Sequence, residues 1–118
     1  MCGIIGYVGG RPAEEILVAG LEKLEYRGYD SAGVAILVPD DEVKNVRAVG
    51  NLSGLRSALE ETDLTAAEEP DADGHFTGIA HTRWATHGRV TEANAHPHAD
   101  ETGKVQIVLN GIVENYVR

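Results

Sequence analysis

The first apolar segment begins almost at the first residue of the chain. Residues 4–8 read Ile-Ile-Gly-Tyr-Val and are followed by two glycines. A short apolar run bounded by glycines is typical of a buried strand. We therefore expect a strand that anchors the amino terminus in the fold and holds Cys2, which lies directly before it.

The remaining pattern alternates between helical and strand-like segments. After Pro12, residues 16, 17, 20, 21 and 24 recur with helical spacing, and Gly28 is a natural stop. A loop is expected at 29–33, followed by a buried strand. The predicted elements are a helix from Pro12, a hairpin of strands 34–38 and 43–49, a helix at 51–61, and strands at 78–81 and 105–109. This mixture indicates an α+β architecture.

Residues 60–74 contain seven acidic residues, no basic residue and one proline. Such a composition is typical of a solvated, mobile connection. We assign no chemistry to this segment.

Composition excludes several classes of protein. The 118 residues suffice for one modest domain, and 42% hydrophobic and 25% charged residues are usual for a globular chain. A net charge of −9 argues against binding to nucleic acid or to an anionic membrane surface. No apolar run approaches the ~18 residues of a membrane span, and no secretory signal is present. The single cysteine acts as a thiol, and we expect a cytoplasmic protein.

The position of Cys2 is the most unusual feature. Removal of Met1 would place a thiol and a free α-amino group on one residue. The unperturbed pKa of an α-amino group is about 7.7–8.0, so near neutral pH this amine can act as the base for the thiol. Taken alone, a cysteine at position 2 is more often a small, inert, buried side chain.

A dense polar motif follows the predicted strand at 78–81. Residues 80–88 read Ala-His-Thr-Arg-Trp-Ala-Thr-His-Gly. The planar fork of Arg83, supplemented by hydroxyl groups, suits the binding of a carboxylate. A solvated loop in which Trp84 is the packing anchor explains the composition equally well.

Asn110-Gly111 lies between the strand at 105–109 and Ile112-Val113. The pair most simply predicts a tight hairpin turn. The side-chain N–H of Asn110 and the backbone N–H of Gly111 also suit the stabilisation of an oxyanion. The two interpretations are compatible, so this pattern does not discriminate between them.

Four histidines invite a metal hypothesis: His81, His87, His96 and His98. A His-x-His pair on a strand places both rings on one face, as metal sites do. However, no cysteine or carboxylate accompanies them at a zinc-type spacing. We therefore expect no metal and no other cofactor.

Taken together, five segments closely resemble the glutaminase domain of the glutamine:fructose-6-phosphate aminotransferase (isomerizing) family, also called glucosamine-6-phosphate synthases. They are residues 1–6, 24–33, 81–88, 94–98 and 110–112. A Cys-Gly-Ile start alone is shared with other amidotransferases. The combination of Tyr-Arg-Gly-Tyr-Asp-Ser-Ala-Gly with His-Thr-Arg-Trp-Ala-Thr-His-Gly indicates the sugar-phosphate family.

The resemblance implies a role for each matching residue. Cys2 matches the nucleophile, and its amine matches the base. Asn110 and Gly111 match the oxyanion hole, and Arg27 matches a supporting residue near the nucleophile. Arg83 matches the ligand of the α-carboxylate of glutamine, in a binding loop that also contains Trp84, Thr86 and His87.

The resemblance also implies a four-layer αββα sandwich of the N-terminal-nucleophile hydrolase type, of which residues 1–118 form an incomplete N-terminal portion. Glutamine and fructose 6-phosphate are the implied substrates, the latter bound by sugar-isomerase domains that are absent here, and the full-length family enzyme allows a homodimer. The alternative is a truncated, inactive paralogue that binds glutamine or a partner chain.

Three departures from the family pattern bear on activity. The chain stops at Arg118, and the acidic ligand of the glutamine amino group lies beyond that residue. Leu109 stands where the family usually has His. We therefore expect little or no activity from the isolated 118 residues.

Overall fold

The computed structural model describes residues 3–24, 31–39, 42–50, 52–83 and 96–108. It contains six strands, two α-helices and one short 3₁₀ helix within these ranges, which confirms an α+β architecture. In chain order these elements are β1 (Gly3–Gly9), α1 (Ala13–Leu24), β2 (Ser31–Val38), β3 (Glu42–Val49), α2 (Leu52–Glu61), the 3₁₀ helix (Thr65–Glu68), β4 (Phe76–Arg83), β5 (His98–Ala99) and β6 (Gln106–Ile107).

Four strands form one antiparallel sheet in the order β1-β4-β2-β3. The register pairs Gly3 with Thr82 and Ser31 with both Arg83 and Val49. The amino ends of β1 and β2 therefore lie at the same end of the sheet as the carboxyl ends of β3 and β4. Strands β5 and β6 form a separate two-stranded sheet.

The core lies between the helices and one face of the sheet, which we call the helix face. Leu17 and Leu21 of α1 and Leu55 of α2 are completely buried. Burial of a leucine side chain contributes about 1.5–3 kcal/mol. Because side chains alternate along a strand, every second residue of the sheet joins this core: Ala32, Val34, Ile36, Val38, Val46, Phe76 and Ala80.

The opposite face of the sheet, which we call the open face, carries exposed apolar side chains. Val8 is 69% exposed, and Ile4, Leu37 and Val49 are also exposed. Tyr7, on the helix face, packs against the core. The prediction of a strand at the amino terminus is confirmed, but its residues are only partly buried on the helix face and are exposed on the open face.

Two boundary predictions are wrong. Ser31–Gly33 belongs to β2 and not to the preceding loop, because these residues pair with β3 and β4 on both sides. The strand predicted at 105–109 is shorter, since pairing with β5 involves Gln106 and Ile107 alone among the described residues. The hairpin of β2 and β3, both helices and β4 are confirmed.

The acidic segment has more structure than its composition predicts. Ala67 of the 3₁₀ helix is buried, and Asp63 Oδ1 accepts hydrogen bonds from the backbone and the hydroxyl of Thr65. Asp71 Oδ1 accepts hydrogen bonds from the backbone amides of Asp73 and His75, both at 2.9 Å. Such bonds favour the ionised carboxylate. The pKa of Asp71 is therefore lowered from its ordinary value, chiefly by the hydrogen bond from the backbone amide of His75.

No helix in the described part of the chain has the length and apolar character that crossing a membrane requires.

Candidate functional site

Three strand ends that contain or follow predicted site residues in the sequence meet at one end of the sheet. Gly3, which follows Cys2, begins β1, and Ser31 begins β2. Arg83 is the last residue of β4 and pairs with Ser31. Antiparallel pairing thus brings together positions that are distant in sequence.

A side-chain hydrogen bond joins β1 to β4 at this end. The amide of Gly3 donates to Oγ1 of Thr82 at 3.1 Å. Thr82 is 2% exposed and lies on the helix face. A Cβ at position 3 would lie 3.0 Å from this Oγ1 and would overlap Cδ1 of Leu24. A side chain at position 3 would therefore crowd this contact, and glycine leaves room for it.

Three histidine rings stack beside this end of the sheet. His81 is completely buried, and the centroid of its ring lies 4.2 Å from that of His96. The ring of His98 follows edge-on at 4.3 Å from His96. The rings of His96 and His98 are thus in contact, although only His98 belongs to a strand. No group of three or more His, Cys, Asp or Glu residues in the described ranges has an arrangement that holds a metal ion.

A backbone segment crosses the open face at the same end. The carbonyl oxygen of His96 occupies the space that a Cβ of Gly33 would need. Asn45 of β3 donates from Nδ2 to the carbonyl of Pro97 at 2.9 Å and to Oε1 of Gln106 at 2.6 Å. These contacts dock residues 96–97 and the β5–β6 hairpin onto the sheet.

Ser31 contributes a buried hydroxyl to this region. Its side chain has no exposure, and Oγ finds no hydrogen-bond partner among the residues that the structure describes. Its register position opposite Arg83 puts it at the sheet end where β1 begins and β4 ends.

Most of the predicted site residues fall outside the described ranges. Arg83 is placed by its backbone at the end of β4. The others are Cys2, Arg27, Trp84, Thr86, His87, Asn110 and Gly111, and for these the assignments remain predictions.

Sequence reasoning assigned no role to Thr82, although it lies within the polar motif. Strand alternation places Thr82 on the same face as Ala80. Its partner Gly3 is 79 residues away in the chain. The feature that identifies Thr82 is therefore the register of β1 and β4. The pattern of neighbouring residues in the sequence carries no information about that register.

Comparison with known proteins shows that this chain is similar to a class of aminotransferases, although no protein-family model matches the chain. The chain is 52% identical over 116 residues to an enzyme of Mycolicibacterium smegmatis and 53% identical over 116 residues to one of Streptomyces coelicolor. It is 50% identical over 117 residues to one of Thermus thermophilus. Each of these alignments covers at least 98% of the chain.

All three relatives are named glutamine–fructose-6-phosphate aminotransferase (isomerizing). This chain matches the N-terminal part of that enzyme. It spans 17–18% of the length of each of the three. The resemblance that the sequence motifs indicate is therefore confirmed.

Proposed function

We propose that this chain is the glutaminase part of an enzyme that makes glucosamine 6-phosphate from fructose 6-phosphate and glutamine. The observation that supports it best is the convergence of Gly3 and Arg83 at one sheet end, in a chain about 50% identical to enzymes of that name. Fructose 6-phosphate would bind to a part of the protein outside these 118 residues. A catalytic thiol suits a reducing compartment, so we assign the protein to the cytoplasm.

Cys2 carries out the chemistry in this proposal. After loss of Met1, its α-amino group takes the thiol proton, and the sulfur bonds to the γ-carbonyl carbon of glutamine. The tetrahedral oxyanion collapses, the C–N bond breaks, and the amine returns the proton to the departing nitrogen. Ammonia leaves, and water then hydrolyses the γ-glutamyl thioester to glutamate and the free thiol.

The remaining predicted residues orient the substrate and stabilise the oxyanion. Asn110 and Gly111 donate to the oxyanion. Arg27 supports the nucleophile without taking part in the chemistry. The α-carboxylate of glutamine binds to Arg83, in a loop completed by Trp84, Thr86 and His87.

Within this proposal the fold is one half of a four-layer αββα sandwich. The open face of the sheet supports this interpretation, since a sheet of this kind buries both faces when a second sheet packs on it. Ile4, Val8 and Leu37 form an exposed apolar surface opposite the helices. The helices already supply one outer layer, so the open face is where the second sheet would pack.

Val8→Lys in the full-length protein tests this packing. If a second sheet covers Val8, the substitution buries an ammonium group, and we expect the free energy of unfolding to fall by about 2 kcal/mol. The matched control is Ala19→Lys, which places the same side chain on an exposed position of α1. Denaturant unfolding of both variants measures the effect. Equal stabilities for the two variants would contradict the sandwich.

Arg83→Lys tests the binding role of the polar motif. Lysine keeps the charge but loses the bidentate fork that matches a carboxylate. In the full-length protein we expect the KM for glutamine to rise by about tenfold, the equivalent of about 1.4 kcal/mol, with kcat changed less. Arg47→Lys on β3 is the control. Steady-state ammonia release measures both, and a KM equal to that of the parent protein would remove Arg83 from the binding site.

A further inference from the structure

Thr82 joins the first described residue of β1 to the strand that ends at Arg83. We propose that Thr82 is a positioning residue for Cys2: by accepting the amide hydrogen of Gly3, its hydroxyl fixes the orientation of the nucleophile. The inference rests on the proposed function, since it concerns how the same site is built. Thr82 does not touch the reacting atoms in this scheme and acts through the peptide group between residues 2 and 3.

Covalent geometry transmits the effect from Gly3 to Cys2. The peptide group is planar and contains the Cα of Cys2, the C=O of Cys2 and the N–H of Gly3. A hydrogen bond at the Gly3 nitrogen therefore restrains the plane in which the Cα of Cys2 lies. Since both the thiol and the amine are attached to that Cα, the restraint acts on nucleophile and base together.

Packing makes this restraint specific. Thr82 is 2% exposed, so its hydroxyl lies away from bulk water, where a hydrogen bond is stronger. A Cβ at position 3 would crowd the end of the Leu24 side chain and the Thr82 hydroxyl, so glycine at this position favours the 3.1 Å bond. Glycine at position 3 and threonine at position 82 thus form one contact.

The bond contributes more to geometry than to folding. Strand β1 already pairs with β4 along its whole length, from Gly3 with Thr82 to Gly9 with Phe76. Losing one side-chain bond leaves this ladder intact. In contrast, misplacing a reacting group by about 1 Å can cost about 100-fold in rate. We therefore expect loss of the hydroxyl to affect kcat more than stability.

The test compares Thr82→Val with Thr82→Ser in the full-length protein. Valine keeps the shape of threonine and removes the acceptor, whereas serine keeps the hydroxyl. For Thr82→Val we expect kcat for glutamine hydrolysis to fall by about 10- to 100-fold with KM within about threefold. Thr82→Ser should lie within about threefold of the parent kcat, because the acceptor is restored.

Two further variants separate positioning from general damage. Thr77→Val makes the same exchange on β4, opposite Val8, and should leave kcat unchanged. Gly3→Ala crowds the same contact from the other strand and should lower kcat as Thr82→Val does. Thermal unfolding and the pH profile of Cys2 alkylation by iodoacetamide complete the set. For Thr82→Val we expect slower alkylation or a shifted pH profile, with an unchanged midpoint of thermal unfolding.

The outcomes are distinguishable. If Cys2→Ala abolishes hydrolysis but Thr82→Val has the parent kcat and alkylation profile, the positioning role is wrong and the proposed function stands. A loss of kcat that Thr82→Ser shares equally also overturns the role. If Cys2→Ala retains full activity, the proposed function itself is wrong.

Discussion

Replacing Cys2 by Ala is expected to lower glutamine hydrolysis by the full-length protein by a factor of about 10³ or more. The reason is chemical, since the substitution removes the thiol that is proposed to form the thioester, and residues 1–118 contain no other cysteine. Binding of glutamine should persist, because Arg83, the proposed ligand of the carboxylate, is unchanged. Ammonia release and calorimetric titration with glutamine measure the two effects separately.

A second variant separates the thiol from the amine. Inserting Ala between Met1 and Cys2 keeps the sulfur but moves the free α-amino group to another residue. We expect hydrolysis to fall as far as in Cys2→Ala if the amine of Cys2 is the base. Mass spectrometry confirms which residue is first in each protein. Ammonia release at the parent rate in Cys2→Ala would exclude Cys2 as the nucleophile.

Local sequence pattern was sufficient for most elements of the fold. Helix α1 follows from the periodic leucines, and the hairpin of β2 and β3 follows from two apolar runs around Pro39. The start of β2 was missed because Ser31–Gly33 resembles a loop in composition. Its strand conformation depends on pairing with two neighbours, which is a tertiary effect that overrides local preference.

The site was predicted less completely, for a similar reason. Residue types and motifs indicate Cys2 and Arg83, because each chemistry needs particular side chains, and both assignments remain predictions. The partnership of Gly3 with Thr82 requires the register of two strands. The contact of His96 with Gly33 also joins positions that are far apart in sequence. Neither contact leaves a local signal.

Gly33 is the position where the structure predicts the strongest effect on stability. A Cβ there would overlap the carbonyl oxygen of His96 and would lie 2.9 Å from Cγ of Arg47 and 3.1 Å from the carbonyl carbon of His96. The side chain of Arg47 can move, but the backbone of residue 96 is held by its neighbour. Pro97 is fully buried, and its carbonyl accepts a hydrogen bond from Asn45. Relieving the overlap would therefore require these contacts to break or shift, which costs free energy.

We expect Gly33→Ala to lower the free energy of unfolding of the full-length protein by about 3 kcal/mol, at the upper end of the usual cost of overpacking. The control is Gly10→Ala, where a Cβ meets no atom within 4 Å and the change should be neutral or slightly stabilising. Denaturant unfolding of both variants measures the difference. Because the strain pushes residues 96–97 away from β2, proteolysis between β5 and β6 should also accelerate in Gly33→Ala alone. Equal unfolding free energies for the two variants would show that the 96–97 segment can leave the sheet at little cost.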